Sequence, residues 1–128
     1  MTRVVLIGYD TDAVDFSDPA LPPGMNAEKV YDGVKVAMQQ FADRGWEGDV
    51  CYIRHDATLR ATVKRHLASK TYDCIVIGAG VRLPPRRLEF LETVINAVHE
   101  AAPGAAIAFN TRPDDSADAA ARSLAAKR

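Results

Sequence analysis

Four short runs of almost unbroken apolar residues punctuate the chain: RVVLIGY (3–9), GDVCYIR (48–54), YDCIVIGA (72–79) and AAIAFN (105–110). Continuous apolarity over so few positions predicts strands covered on both faces, as in a parallel sheet. Between these runs the period lengthens. Val30, Val34, Ala37, Met38 and Phe41 form one stripe, Leu59, Val63 and Leu67 a second, and Leu88, Leu91, Val94, Ile95 and Val98 a third. Stripes at this spacing predict amphipathic helices. A last, Ala-rich segment, SADAAARSLAAKR, has basic residues in its final turn, which complements a helix dipole. Punctuation agrees with the periods. Asn26 is placed to cap the first helix, Asp56 or Thr58 the second, and Asp115 or Ser116 the last. Gly45 and Pro103-Gly104 mark helix stops.

The order βαβαβαβα predicts one α/β domain over residues 1–128, with three layers and right-handed crossovers. Its simplest winding is a Rossmann-like four-stranded parallel sheet of strand order 2-1-3-4. The fourth strand then lies at an edge although it is apolar on both faces. That combination predicts a second copy of the chain packed on the 105–110 edge or its helix.

Ligands of such sheets bind outside the carboxyl ends of the strands, where the winding reverses. Here that crevice falls between the loops after strands one and three. The expected ligand contacts are Gly8, Tyr9 and Asp10 from the first, Ala79, Gly80, Val81 and Arg82 from the second, and Asn110 and Thr111 after strand four. Arg54 and His55 belong to the same rim. Arg82, closest to the strand end, is the preferred charged contact.

The connection after the first strand is long for a compact domain: residues 10–26 show no periodicity. It carries Asp10, Asp12, Asp15 and Asp18, which either pair with Arg82, Arg86 and Arg87 of the neighbouring loop or leave those arginines to clamp an anionic ligand. Both arrangements are open at this level. The same connection interleaves Val14, Phe16, Leu21 and Met25 with prolines. It therefore reads either as a lid over the crevice or as an arm, 13–25, that joins two copies into a homodimer.

The stretch YDCIVIGAGVRLPPRRLEFLETVINAV (72–98) resembles the third strand, ligand-covering loop and following helix of flavodoxin-like proteins. The resemblance implies a flavin ring lying against Ala79, Gly80, Val81 and Arg82. That family holds the flavin phosphate in a Ser/Thr/Gly-rich loop after strand one. Residues 9–26 contain no such run, and their carboxylates repel phosphate, which argues against flavin bound in that manner. Asp10-Thr11-Asp12-Ala13-Val14 also resembles the DxDx[TV] signature of haloacid-dehalogenase phosphotransferases. This implies Asp10 as nucleophile, Asp12 as acid/base and magnesium held by carboxylates such as Asp114 and Asp115. Turn and cap roles are the simpler account of the last two. VDFSDPALPPGMN and IAFNTRP are similar to stretches shared within a small bacterial family, a likeness that implies no activity.

Composition narrows the classes. Sixteen basic residues are scattered among seventeen acidic ones for a net charge of −1, so no basic stripe marks a nucleic-acid partner. No apolar run approaches the roughly 20 residues of a membrane span. The opening run MTRVVLIGYD is too short for a secretory signal, which makes a bacterial-type cytoplasmic location the expectation. Cys51 and Cys74, each inside a strand and neither in a CxxC pair, read as buried thiols rather than as metal ligands. His66 and His99 have no companion at ligand spacing. The primary functional expectation is a small polar or nucleotide-like ligand bound between loops 9–24 and 79–87. The alternatives are a homo-oligomeric interaction module without catalysis and a magnesium-dependent phosphotransferase.

Overall fold

The computed structural model describes every residue except 15, 18, 20–22, 83–87 and 127–128. Its strands are β1 (Arg3–Tyr9), β2 (Glu47–Ile53), β3 (Cys74–Ile77) and β4 (Ala106–Phe109). The helices are α1 (Ala27–Asp43), α2 (Leu59–Ala68), the single turn α3 (Ala79–Arg82), α4 (Leu88–Ala101) and α5 (Ser116–Ala126). The strands form one sheet of order β2-β1-β3-β4. Every pairing is parallel, with Val5 opposite Asp49 on one side and Ile75 on the other.

β1 and β3 are interior strands, which is why their side chains are apolar on both faces. Val5, Ile7, Ile75 and Ile77 pack against α2 and α4. Val4, Leu6, Cys74 and Val76 pack against α1 and α5. Both thiols lie inside, Cys51 at 3% and Cys74 at 0% exposure. Burial, reinforced by the Asp49 carboxylate, pushes the Cys51 thiol up to about 11, so it stays protonated and behaves as a small apolar group.

Local chemistry sets the helix ends. The Asn26 side chain accepts from the Lys29 N–H at 2.9 Å and so caps α1. Gly45 ends it with φ +76°, a left-handed turn that glycine adopts without steric penalty. Asp56 holds the N–H of Thr58 at 2.8 Å at the start of α2. The buried faces of α1 (Val34, Ala37, Phe41) and α2 (Leu59, Val63, Leu67) fall on the expected stripes. On α4 the stripe is turned. Phe90, Val94, Ala97 and Val98 are buried, while Leu88 is 60% exposed. The cause is Phe90, whose ring meets Tyr9 edge-on at 5.3 Å and stacks with His55 at 4.9 Å. Those two partners lie at the end of β1 and just after β2, out of reach of a periodicity argument.

The β4 edge has internal cover. Ala106 and Asn110 donate toward β3, to Asp73 O and Ile77 O, so the alternate residues Ile107 and Phe109 face the free side. Their carbonyls accept from α5: Ser123 Oγ reaches Ile107 O at 3.1 Å and Arg122 Nη2 reaches Phe109 O at 3.2 Å. The chain's own last helix thus meets part of the need that pointed to a second copy. No helix among the described residues is long and apolar enough to cross a membrane.

Candidate functional site

The carboxyl ends of β1, β3 and β4 converge on the α1/α5 face of the sheet. β3 turns into α3 at Gly78, whose N–H donates to Ile7 O at 2.8 Å. A Cβ on Gly78 would sit 2.8 Å from that same carbonyl oxygen, so the close approach of the two strands requires glycine. Asn110, 2% exposed, ties three elements together. Its Oδ1 accepts from the Ala79 N–H at 2.8 Å, and its Nδ2 donates to Ser116 Oγ at 2.9 Å. Ser116 Oγ in turn donates to Pro113 O at 2.7 Å. Just beyond, Asp115 accepts from the hydroxyl and N–H of Thr111 and from the Arg112 N–H. Burial works against ionisation of Asp115, but these hydrogen bonds outweigh it and hold the carboxyl below its ordinary range. The frame after β4 is therefore stiff and internally satisfied.

A cavity of about 140 Å³, partly open to solvent, lies inside this frame. Leu6, Gly8 and Tyr9 form its floor from β1, Gly78, Ala79 and Gly80 one wall, and Val30 and Val34 of α1 another. Asn110, Thr111, Arg112 and Pro113 close the β4 side. The long connection supplies the remainder: Thr11, Val14, Phe16 and Met25 all line it. Glycines at the strand ends leave the space that side chains occupy elsewhere along the sheet.

The lining is apolar apart from a few groups, most of which are engaged by the protein. Arg112, the one charged residue among the described lining residues, holds Asp114 at 2.6 Å. Thr11 differs. It is 4% exposed, and its hydroxyl has no hydrogen-bond partner among the described residues. Leaving such a group unsatisfied costs about 1–3 kcal/mol.

Gly8, Tyr9, Ala79, Gly80, Asn110 and Thr111 are thus brought together around one space. Asp10 and Val81 are not. Asp10 Oδ1 accepts from the Asp12 N–H and Oδ2 from Arg54 Nε, each at 3.0 Å, which turns the carboxylate toward β2. Val81 is wholly buried in the α2/α4 core, on the opposite face of the sheet. Arg86, Arg87, Asp15 and Asp18 lie outside the described residues, as does the side chain of Arg82. The pairing or clamping role expected of them lies there too. Among the described residues, the acidic loop's ion pair is Asp10 with Arg54.

The phosphotransferase arrangement is not assembled among the described residues. Both Asp10 oxygens are engaged, Asp12 is exposed, and Asp114 and Asp115 serve Arg112 and Thr111. No group of three or more acidic, His or Cys side chains suited to a metal forms among the described residues.

Periodicity missed the wall residues Val30, Val34, Val14, Phe16 and Met25, because it assigns them to a helix stripe or to an irregular loop. Thr11 was legible only as the middle of an Asp-Thr-Asp triplet.

A second polar cluster sits at the other end of the sheet. Asp49 accepts from the Tyr72 hydroxyl at 2.7 Å and lies 3.2 Å from His66 Nε2, which stacks with the Tyr72 ring. Burial first, and the Asp49 carboxylate second, push the Tyr72 phenol well above its ordinary range. Beside it Glu47 bridges Lys70 at 2.7 Å and Arg3 at 2.9 Å. Those hydrogen bonds draw the Glu47 carboxyl down to about 2. This network fastens α2 and the start of β3 to the β2 edge, far from the glycine-lined crevice.

The winding order and the crevice at the β1/β3 reversal define a flavodoxin-like α/β fold. Compared with known proteins, the chain matches no family model and shows no significant sequence similarity to a curated protein. The described residues do not fit the flavin mononucleotide associated with that fold. The cavity, about 140 Å³, is well below the roughly 300–1,000 Å³ of pockets for larger ligands. The loop after β1 also lacks the Ser/Thr/Gly-rich run that cradles such a phosphate: Thr11, Ser17 and Gly24 are scattered along residues 9–26.

Proposed function

We propose that this protein is a small-molecule-binding domain whose ligand occupies the cavity between the ends of β1, β3 and β4, against Thr11, Val14, Phe16 and Met25 of the connection after β1. The observation that carries this reading is the cavity's construction. It lies where open α/β sheets bind ligands, and three apolar side chains of the long loop turn into it. Val14, Phe16 and Met25 serve a lid better than an intermolecular arm, because their apolar surface lines the domain's own cavity. Leu21, the fourth apolar residue of that argument, lies outside the described residues.

Binding is favoured over catalysis by the lining. No carboxylate, histidine, lysine or cysteine lines the cavity among the described residues, so no nucleophile–base pair meets there. Size and polarity also favour a ligand smaller and less polar than a nucleotide.

A thermal-melt series with neutral aromatic molecules of one ring tests this. At a concentration tenfold above Kd, a bound ligand adds about 1.4 kcal/mol of stability, a rise in Tm of about 5 °C for a chain of this length. Val30→Trp, which fills the space from α1, should abolish the rise. Equal rises in both proteins would place binding elsewhere, and no rise with any compound would reject the reading.

A further inference from the structure

We infer, building on that reading, that the ligand is an uncharged, mostly apolar molecule carrying one hydrogen-bonding group, and that this group is met by Thr11 Oγ1. Two independent features converge. The first is volume. A cavity of about 140 Å³ compares with the roughly 150 Å³ of an apolar protein cavity that accepts benzene, so a ligand of about six to ten non-hydrogen atoms fits.

The second is the state of the polar groups around it. Asn110 uses both ends of its amide within the frame, Thr111 is held by Asp115, and Arg112 is held by Asp114. Thr11 lines the cavity too, and its buried hydroxyl has no partner among the described residues. A threonine hydroxyl both donates and accepts, so an alcohol, phenol, amide or ketone satisfies it equally.

The described surroundings disfavour a charged ligand. Arg112 is neutralised by Asp114, and Asp10 and Arg54 neutralise each other outside the cavity. Among the described lining residues an anion would meet no uncompensated cation, and a cation would find no carboxylate. This goes against the phosphate-bearing ligand implied by the flavodoxin resemblance.

Toluene, phenol and benzoate are probes of equal girth that differ in the feature at issue. Their affinities are read by ¹H–¹⁵N chemical-shift titration of the wild type, Thr11→Val and Thr11→Ser. Wild type should bind phenol about tenfold more tightly than toluene, the factor expected of one hydrogen bond, with benzoate weakest. Thr11→Val, which keeps the branched shape, should erase the phenol preference while leaving toluene binding in place. Thr11→Ser, which keeps the hydroxyl, should retain the preference. A phenol preference that survives Thr11→Val overturns the role of Thr11 and leaves the cavity reading standing. Benzoate binding tightest overturns the uncharged class. Absence of both toluene and phenol binding in the wild type rejects the cavity reading itself, and this inference with it.

Discussion

Replacing Thr11 by valine should make the ligand-free protein more stable, the reverse of the usual effect of altering a buried residue. The side chain is 4% exposed and its hydroxyl lacks a partner among the described residues. Removing the orphaned group recovers the penalty of its burial, about 1–3 kcal/mol. Valine preserves the branched outline, so no cavity is opened and no neighbour is displaced. For 128 residues, about 4 °C of Tm corresponds to each kcal/mol, giving a rise of about 4–12 °C. Urea unfolding provides the equilibrium measurement. The single tryptophan, Trp46, is half-buried against Phe41 and reports core opening. The midpoint should move up with an unchanged slope. An unchanged midpoint, or a loss of about 1 kcal/mol as expected for a hydroxyl with a real partner, would refute the orphaned state of Thr11. The two effects of the substitution, gained stability and lost phenol preference, belong together: the hydroxyl that would hold a ligand is a liability without one.

Gly78→Ala should lower stability by about 1–3 kcal/mol in the same urea assay, because the new methyl lands 2.8 Å from the Ile7 carbonyl oxygen in a packed sheet. Gly8→Ala, whose added carbon meets only the Tyr52 ring at 3.9 Å, should be far milder. In acid, the Glu47 bridges to Lys70 and Arg3 contribute stability that is present above the unfolded carboxyl value of 4.5 and lost as pH falls through about 2. Glu47→Gln should therefore flatten the decline of the unfolding midpoint over that window, and an unaltered pH profile would show that the pairs contribute nothing. The double variant Arg122→Ala, Ser123→Ala uncovers the Ile107 and Phe109 carbonyls at the sheet edge. Light scattering should show increased self-association, and an unchanged mass at high concentration would show that these contacts do not protect the edge.

The sheet was legible in the sequence because parallel strands leave a strong mark. Val4 to Ile7 and Cys74 to Ile77 are buried on both faces, and nothing but apolar residues serves there. The order 2-1-3-4 followed from the alternation of elements, and the place of the cavity at the strand ends followed from the order. The details were lost where side chains choose between faces. Val81 is one residue past Gly80, yet a single helical turn carries it into the opposite core. Asp10 directly follows the floor residue Tyr9, but Arg54, forty-four positions away, draws its carboxylate aside. Phe90 turns α4 through rings of Tyr9 and His55 that no local period encodes. Most of all, the aspartates dominated the reading of the first loop, whereas the cavity is built from the residues between them: Thr11, Val14 and Phe16.

The central claim is that the space below that loop takes a small molecule. Its most direct test is a ¹H–¹⁵N titration of the intact protein with phenol, read as a map of which amides move. The account predicts saturable shifts concentrated at Gly8, Thr11, Gly78, Gly80 and Thr111, absent from Val30→Trp and small in the Asp49–His66–Tyr72 region at the far end of the sheet. Shifts scattered over the surface, or none at these five residues, would contradict it.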